Sequence, residues 1–280
     1  MSVTNLAKRR GTILDEIMKY HREQLPKIMR EVPIEDLRAF ANVTAPALDF
    51  YAALRKPGVS LIAECKKASP SKGLMVRDYD PVQLAKTYEK AGAAAISVLT
   101  DGRHFQGNLE HLRDVKESVR VPVLRKDFMF DPYQLYEARV AGADAVLLIT
   151  AVLSRNEMAS LLKLTHQLDM NALVEVHTQA ELAQVLPLQP RIIGVNNRNL
   201  QTFEVDFENT ARLRDQIPAE IVTVAESGLK TTDDVRRMAA IGVDAILVGE
   251  TLVRSKNVAE TAVSFVRAGQ KRANPPLTTG

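Results

Sequence analysis

Three segments of this chain are near-copies of one another, and their spacing constrains the fold more than any other feature. Residues 91–98, 141–148 and 241–248 read AGAAAISV, AGADAVLL and IGVDAILV. Each combines a glycine, which commonly ends a helix, with an apolar run that favours a strand. Their glycines are separated by 50 and then 100 residues, which fits two and then four strand–helix units of about 25 residues each. The repeat predicts an α/β fold, the (β/α)8 TIM barrel.

Apolar runs recur at regular intervals from residue 61 onwards, as the strands of such a barrel require. They span residues 61–64, 95–99, 121–124, 145–149, 172–176, 191–195, 221–225 and 245–248. Between them lie side chains that cap the first turn of a helix, at Asp80, Asp131, Ser154 and Thr231. We therefore expect a ring of outer helices that alternate with the strands.

Residues 1–60 differ from the rest of the chain, because their apolar positions are spaced for short helices and no apolar strand occurs among them. We expect two or three helices there, forming an N-terminal extension packed against the barrel over one of its ends. Residues 61–270 are predicted to form the barrel, and residues 271–280 a frayed C-terminal tail.

Composition excludes several classes of protein. Hydrophobic residues make up 46% and charged residues 25% of the chain, so it is neither disordered nor fibrous. The net charge of +3 is too small to indicate a nucleic-acid or membrane partner, and no apolar stretch is long enough to span a bilayer. Cys65 is the single cysteine and cannot form an internal disulfide, and the N-terminus lacks the apolar core of a secretory signal. These features predict a soluble cytoplasmic protein.

Charged and amide side chains lie at the carboxyl ends of the predicted strands, where a parallel barrel is otherwise apolar. They are Glu64 and Lys66 at the first strand, Lys126 at the third, Glu175 at the fifth, Asn196 and Arg198 at the sixth, and Glu226 at the seventh. Structural ion pairs would explain any one of them, but burying three carboxylates and two lysines without a ligand would be costly. Because TIM-barrel active sites form at this end of the strands, the set predicts an active site.

Two reactive residues near this set have less specific interpretations. The two-residue period of a strand places Cys65 on the side opposite Glu64, towards the helices, so we expect a core residue. His177 follows Glu175 by two residues and is a candidate proton shuttle, although a supporting position at the rim is favoured.

Glycines follow the seventh and eighth predicted strands, in the sequences SG at 227–228 and GE at 249–250. In TIM barrels these loops commonly present backbone amides to a phosphate, although a tight turn would explain each glycine alone. The pair favours a phosphate site, to which Lys66 or Arg198 would add a positive charge. The sequence contains no nucleotide-binding glycine loop and no histidine or cysteine cluster with metal-ligand spacing, so we expect neither a cofactor nor a metal.

These residues lie in motifs that resemble those of the indole-3-glycerol phosphate synthase family. Residues 64–73, ECKKASPSKG, are similar to the family's E-x-K-x-x-S-P-S-x-G. The supporting motifs are RKDF at 125–128, LVEVH at 173–177, GVNNRNL at 194–200 and AESG at 225–228. The resemblance covers residues 12–268 and includes the helices before the barrel. One departure is Glu250, where the family often has a serine.

The resemblance implies a decarboxylating lyase of tryptophan biosynthesis that needs no cofactor. Its substrate would be 1-(2-carboxyphenylamino)-1-deoxyribulose 5-phosphate, which closes to indole-3-glycerol phosphate with loss of carbon dioxide and water. Carried over by motif, Lys126 is the general acid and Glu175 the general base. Lys66 contacts a substrate anion and is a second candidate proton donor. Three further residues would orient these groups and the sugar hydroxyls: Glu64, Asn196 and Glu226.

The same resemblance implies where the two ends of the substrate bind. The residues of the anion sites would be Ser69, Arg198, Ser227, Gly228, Gly249 and Glu250. Because a carboxylate repels phosphate, Glu250 would contribute its backbone amide while its side chain points away. Phe128 and Ile149 would form apolar walls around the anthranilate ring. The phosphorylated small molecule is the expected partner, and the chain is expected to be a monomer or a weak homodimer.

Two other functions remain open from the sequence. In an aldolase-type barrel, Lys126 or Lys66 would form a Schiff base with a carbonyl substrate. A non-catalytic phosphosugar-binding barrel would act as a regulator, although it would not need Lys126 and Glu175 at facing strand ends.

Overall fold

The chain folds into a closed barrel of eight parallel strands in a computed structural model that describes residues 12–199 and 204–270. The strands are β1 (Ser60–Cys65), β2 (Ala95–Leu99), β3 (Val123–Lys126), β4 (Ala145–Ile149), β5 (Asn171–Val176), β6 (Ile192–Asn196), β7 (Val222–Glu226) and β8 (Ala245–Val248). β1 pairs with β8, with Ser60 opposite Ala245 and Ala63 opposite Val248, and this pairing closes the barrel. The predicted TIM barrel is therefore confirmed.

All the predicted strands are present, but three of them lie one or two residues later than their apolar runs. β3 shows the reason. Pro122 has no amide proton for the ladder, so the strand starts at Val123, while Lys126 still pairs with Leu99 of β2. Backbone pairing thus carries the strand past its last apolar side chain, and it places the charge of Lys126 at the mouth of the barrel.

Helices connect the strands on the outside of the barrel. They are α4 (Pro81–Lys90), α5 (Gly102–Phe105), α6 (Leu109–Ser118), α7 (Pro132–Val140), α8 (Arg155–Gln167), α9 (Gln179–Val185), α10 (Asn209–Arg214), α11 (Thr232–Ala240), α12 (Glu250–Val253) and α13 (Val258–Gly269). The predicted capping residues are confirmed, since Asp80, Asp131, Ser154 and Thr231 each accept a hydrogen bond from the first turn of α4, α7, α8 and α11. A two-stranded hairpin, in which Ala68–Ser69 pairs with Gly73–Leu74, follows β1.

The helical N-terminal segment comprises α1 (Ile13–Glu31), α2 (Ile34–Val43) and α3 (Phe50–Leu54), which precede the first strand. α1 lies at the carboxyl ends of the strands, where His21 contacts Asp101 beyond β2. α2 runs along α7, and Arg139 of α7 donates hydrogen bonds to the carbonyls that follow α2. α3 lies at the amino end of β1, where the hydroxyl of Ser60 donates to the carbonyl of Leu54. The segment therefore reaches both ends of the barrel and not only the one we expected.

Apolar side chains fill two layers of the fold. The outer layer, between strands and helices, contains Cys65, whose buried thiol lies 3.8 Å from the carbonyl oxygen of Pro81. This position confirms that Cys65 faces the helices, and burial raises the pKa of its thiol. The inner layer fills the barrel with side chains such as Leu124, Leu173 and Leu247. No helix in the described part of the chain is both long and apolar enough to cross a bilayer. The predicted tail at 271–280 lies outside the described residues.

Candidate active site

A cavity of about 560 Å³ opens at the carboxyl ends of the strands. Every site residue predicted from the sequence lines it: Glu64, Lys66, Ser69, Lys126, Phe128, Ile149, Glu175, Asn196, Arg198, Glu226, Ser227, Gly228, Gly249 and Glu250. The predicted residues come from seven of the eight strand ends, and Leu99 at the end of β2 also lines the cavity, because the carboxyl ends of parallel strands meet at one face of a barrel.

Lys126 lies between two buried carboxylates that belong to neighbouring parts of the barrel. Its Nζ is 3.5 Å from an oxygen of Glu175 on β5 and 3.3 Å from an oxygen of Glu226 on β7. Both glutamate side chains are 2% exposed, and that of Lys126 is 14% exposed. One ammonium cannot neutralise two buried carboxylates, so one of the two glutamates retains a proton.

The surroundings separate the protonation states of these groups. Burial raises the pKa of Glu226 to about 8, and the charge of Glu175 adds to this shift while Lys126 opposes it. Burial acts upward on Glu175 as well, but Lys126, His177 and the amide of Asn196 outweigh it and lower its pKa. Burial alone would lower the pKa of Lys126, yet Glu226 and Glu175 raise it above its ordinary value. Near neutral pH the cavity therefore holds an ionised Glu175, a protonated Glu226 and a positively charged Lys126.

A second ion pair lies at the end of β1. The ammonium of Lys66 is 2.6 Å from Oε1 of Glu64, and the pair faces the cavity as the strand period predicts. Gly249 leaves the space for this carboxylate, because a Cβ at that position would collide with Oε1 of Glu64. Gly194 of β6 leaves the space for Glu226 in the same way. The sequence predicts Gly249 only as part of a phosphate site. The structure shows that it packs against the ion pair of Glu64 and Lys66.

The loop after β7 turns sharply at two consecutive residues with left-handed backbone conformation. Ser227 has φ 65° and Gly228 has φ 83°. The side-chain amide of Asn197 donates to the carbonyl of Ser227 at 3.1 Å and holds the turn. Glycine suits position 228 because a β-carbon is strained at this φ and would also meet the side chain of Val205.

Glu250 lies among three cations at the end of the cavity where the sequence predicts a phosphate site. Its carboxylate is 3.8 Å from Nζ of Lys72, 3.6 Å from a guanidinium nitrogen of Arg198 and 3.7 Å from one of Arg254. The sequence led us to expect that this side chain points away from the predicted phosphate site. In the structure it instead lies within the cationic cluster. Lys72 and Arg254 were missed as candidates, although Lys72 belongs to the first motif and Arg254 follows Glu250 by one helical turn.

A buried network behind β3 fixes the end of that strand. Arg125 lies 3.1 Å from Asp127 and 2.8 Å from Glu137 of α7. The other oxygen of Asp127 accepts a hydrogen bond from the amide of Phe128 at 2.9 Å. Because Arg125 alternates with Lys126 along the strand, it faces the helices and leaves Lys126 to face the cavity. Asp127 lies just past the end of β3 and also lines the cavity.

His21, Asp101 and His104 lie close enough together to hold a metal ion, with one ligand atom of each within 4.8 Å of the others. In this structure Oδ2 of Asp101 instead contacts both imidazoles, at 2.7 Å for His21 and 3.1 Å for His104. The cluster ties α1 to the loop after β2 and packs beside Phe128, whose ring lies 5.6 Å from that of His21. Sequence spacing could not reveal it, because His21 and Asp101 are 80 residues apart.

His177 lies behind Glu175, at the edge of the cavity. Its Nε2 is 3.3 Å from Oε1 of Glu175, and its Nδ1 is 3.3 Å from an oxygen of Glu181 on α9. The side chain is 10% exposed and does not line the cavity. This placement is the supporting one that the sequence favours.

Comparisons with known proteins agree with this geometry. The profile of the family described as indole-3-glycerol phosphate synthase matches residues 14–265. The chain is 47% identical over 251 residues to the indole-3-glycerol phosphate synthase of Dehalococcoides mccartyi strain CBDB1, which covers 88% of this chain and 97% of that protein. It is 44% identical over 265 residues to the protein of the same name from Mycobacterium ulcerans, with 95% and 97% covered.

A solved structure supports the fold alone. Thiamine phosphate pyrophosphorylase from Pyrococcus furiosus superimposes with a TM-score of 0.58 at 14% sequence identity, and the match covers 75% of this chain and 95% of that one. The family match and the two close relatives are far more specific. The chain belongs to the indole-3-glycerol phosphate synthases, a family of carboxy-lyases of tryptophan biosynthesis.

Proposed function

We propose that the chain closes 1-(2-carboxyphenylamino)-1-deoxyribulose 5-phosphate to indole-3-glycerol phosphate, with Lys126 as the acid and Glu175 as the base. The observation that carries this proposal is the position of Lys126. Its ammonium lies within 3.5 Å of both Glu175 and Glu226 in the cavity at the barrel mouth.

Lys126 supplies the proton for ring closure. The aromatic carbon that bears the carboxylate attacks the ketose carbonyl carbon, and the carbonyl oxygen takes the proton as the new carbon–carbon bond forms. The raised pKa of Lys126 keeps that proton on the amine until the oxygen becomes basic. A positioned acid of this kind contributes roughly 10²- to 10⁴-fold to the rate.

Glu175 serves the later steps. Loss of carbon dioxide returns the bonding electrons to the ring and restores its aromaticity. The hydroxyl group then leaves as water, which requires one proton at the oxygen and removal of one proton from the ring carbon beside the nitrogen. Glu175 is ionised and accepts the carbon-bound proton, while Lys66 and the protonated Glu226 are the acids available for the oxygen.

The two anionic ends of the substrate meet different cations. Lys66 balances the substrate carboxylate until it leaves as carbon dioxide, and Glu64 holds the lysine in place at 2.6 Å. Arg198, with Ser227, Gly228 and Gly249, binds the phosphate, and Lys72 stands beside them in the cavity wall. Phe128 and Ile149 supply the apolar walls for the aromatic ring.

Turnover of the synthetic substrate tests the proposal directly. The chain contains no tryptophan, so the fluorescence of an indole product would rise over a low protein background. We expect purified protein to generate this signal without added metal or nucleotide. Intact substrate after prolonged incubation with folded protein would refute the assignment.

Borohydride trapping separates this mechanism from the aldolase-type alternative. A lysine that forms a Schiff base must lose its proton, whereas Glu226 and Glu175 hold the proton on Lys126 and Glu64 pairs with Lys66. We expect no covalent adduct on either lysine after reduction in the presence of substrate.

A cytoplasmic location and a monomeric or weakly dimeric state remain predictions from the sequence.

A further inference from the structure

Glu175 and Glu226 have similar surroundings, so a third group must decide which of the two is ionised. Each side chain is 2% exposed, and each places one oxygen 3.3–3.5 Å from the same lysine nitrogen. Two interacting carboxylates around one cation share a proton, and its position depends on small differences between the sites. The proposed mechanism requires the charge on Glu175, because only an ionised carboxylate can act as the base.

His177 supplies the charged part of the difference between the two carboxylates, since the other group that favours an ionised Glu175, the amide of Asn196, is neutral. Its Nε2 lies 3.3 Å from Oε1 of Glu175, the oxygen that Lys126 does not contact. The nitrogen is buried and makes no aligned hydrogen bond to any described residue. Its closest anionic neighbour in the cavity wall is therefore Glu175, and Glu226 acts on it only from a greater distance.

Glu181 holds the imidazole in this orientation from the other side. One of its oxygens lies 3.3 Å from Nδ1 of His177 and also accepts a hydrogen bond from the backbone amide of the same residue. Asn209 of α10 fixes the backbone further, since its side-chain amide donates to the carbonyl of His177 at 2.9 Å. The ring is thus clamped between two carboxylates, one inside the cavity and one at the surface.

The groups around His177 favour its positive charge. The facing ionisable groups are Glu175 on β5, Glu181 on α9 and Glu226 on β7, while Asn209 on α10 is neutral. Burial lowers the pKa of His177, but Glu181, Glu175 and Glu226 outweigh burial and raise it. Lys126 is the nearby cation, and it lies on the far side of Glu175 from the imidazole.

We infer that His177 is a positioning residue that keeps the negative charge of the carboxylate pair on Glu175 and the shared proton on Glu226. The inference rests on the proposed function for its catalytic meaning, since it explains why Glu175 and not Glu226 is the base. Neither side chain needs to move for this effect, because an imidazolium on one side of the pair is sufficient.

The substitution His177→Gln tests this inference, with the exposed His166→Gln on α8 as the matched control. The glutamine keeps a hydrogen-bonding side chain of similar length but carries no charge. The acid limb of the pH profile of kcat should move to higher pH by about one to two units, as expected when an opposite charge near a carboxylate is lost. The control should leave the profile in place.

A titration of the free protein keeps the inference separate from the proposed function. Carbon-13 resonances of labelled glutamate side chains, assigned by their loss in Glu175→Gln and Glu226→Gln, report both carboxyl groups without substrate. We expect His177→Gln to raise the midpoint of Glu175 and to bring the two midpoints closer together. If kcat falls equally at every pH and the two midpoints do not move, the inference is wrong even where the wild-type chain is active. If the wild-type chain has no synthase activity, the proposed function is wrong, and the titration alone decides whether His177 biases the pair.

Discussion

Replacing Glu226 with glutamine should stabilise the folded chain at neutral and mildly alkaline pH. The folded-state pKa of Glu226 is about 8, against an ordinary value of 4.5. Between these values the folded chain keeps a proton that the unfolded chain has released, so the free energy of unfolding falls as pH rises through this window. At about 1.4 kcal/mol per unit, Glu226 costs the wild type about 3 kcal/mol at pH 7 and about 4 kcal/mol at pH 8. Glutamine has no proton to release and does not incur this cost.

Urea unfolding followed by circular dichroism at pH 5, 6, 7 and 8 measures the effect. The difference between Glu226→Gln and wild type should be smallest at pH 5 and should widen at each higher pH. The exposed Glu220→Gln provides a control that should show no such trend. Glu175 does not interfere in this range, because its lowered pKa gives stability that is present above pH 4.5 and is lost only as pH falls below it.

A pH-independent difference would refute the reasoning. If the unfolding free energies of Glu226→Gln and wild type run parallel from pH 5 to pH 8, then Glu226 titrates alike in the folded and unfolded chains. The conclusion that Glu226 is protonated at neutral pH would then be wrong, and so would the division of roles between the two buried glutamates.

Three further substitutions test other parts of the site. Gly249→Ala should lower kcat by about 10²-fold, because the added Cβ displaces Glu64 and with it Lys66, and an unchanged kcat would contradict that packing. Glu250→Gln removes a carboxylate that competes with phosphate for Lys72 and Arg198, so inorganic phosphate should inhibit roughly two- to fivefold more strongly, whereas equal or weaker inhibition would count against the competition. His21→Ala removes the hydrogen bond between His21 and Asp101 and should lower the free energy of unfolding, measured by urea denaturation, by about 1–3 kcal/mol. Asp101 and Asp127 raise the pKa of His21 despite its burial, so this loss should be full below pH 6.5 and smaller once pH passes the raised value; an equal loss at pH 6 and pH 9 would oppose it.

The sequence predicts which side chains meet in one cavity because their positions follow from local rules. The repeated glycine-to-strand segments identify the barrel, and the strand period places Glu64 and Lys66 on the cavity side. Since the carboxyl ends of all strands converge, a polar residue recognised at a strand end is already placed near the others. The side chains could therefore be assigned to one cavity without knowledge of any contact between them.

Contacts between distant segments could not be predicted in this way. The link from His21 to Asp101 joins positions 80 residues apart and depends on how α1 packs over the strand ends. The cations around Glu250 come from the segment after β1, the loop after β6 and the residue that follows α12, and no single periodicity relates them. The role of His177 depends on Glu181 and Glu175 facing the two ring nitrogens, a geometry that only the folded chain defines.

The kinetics of Lys126→Met test the central claim most directly. Methionine fills a similar volume but carries no proton, so kcat for the formation of the fluorescent product should fall by roughly 10²- to 10⁴-fold while KM stays within about tenfold. Lys163→Met, on the exposed face of α8, should behave like the wild type. A Lys126→Met chain that turns over at close to the wild-type kcat would show that this lysine does not supply the proton.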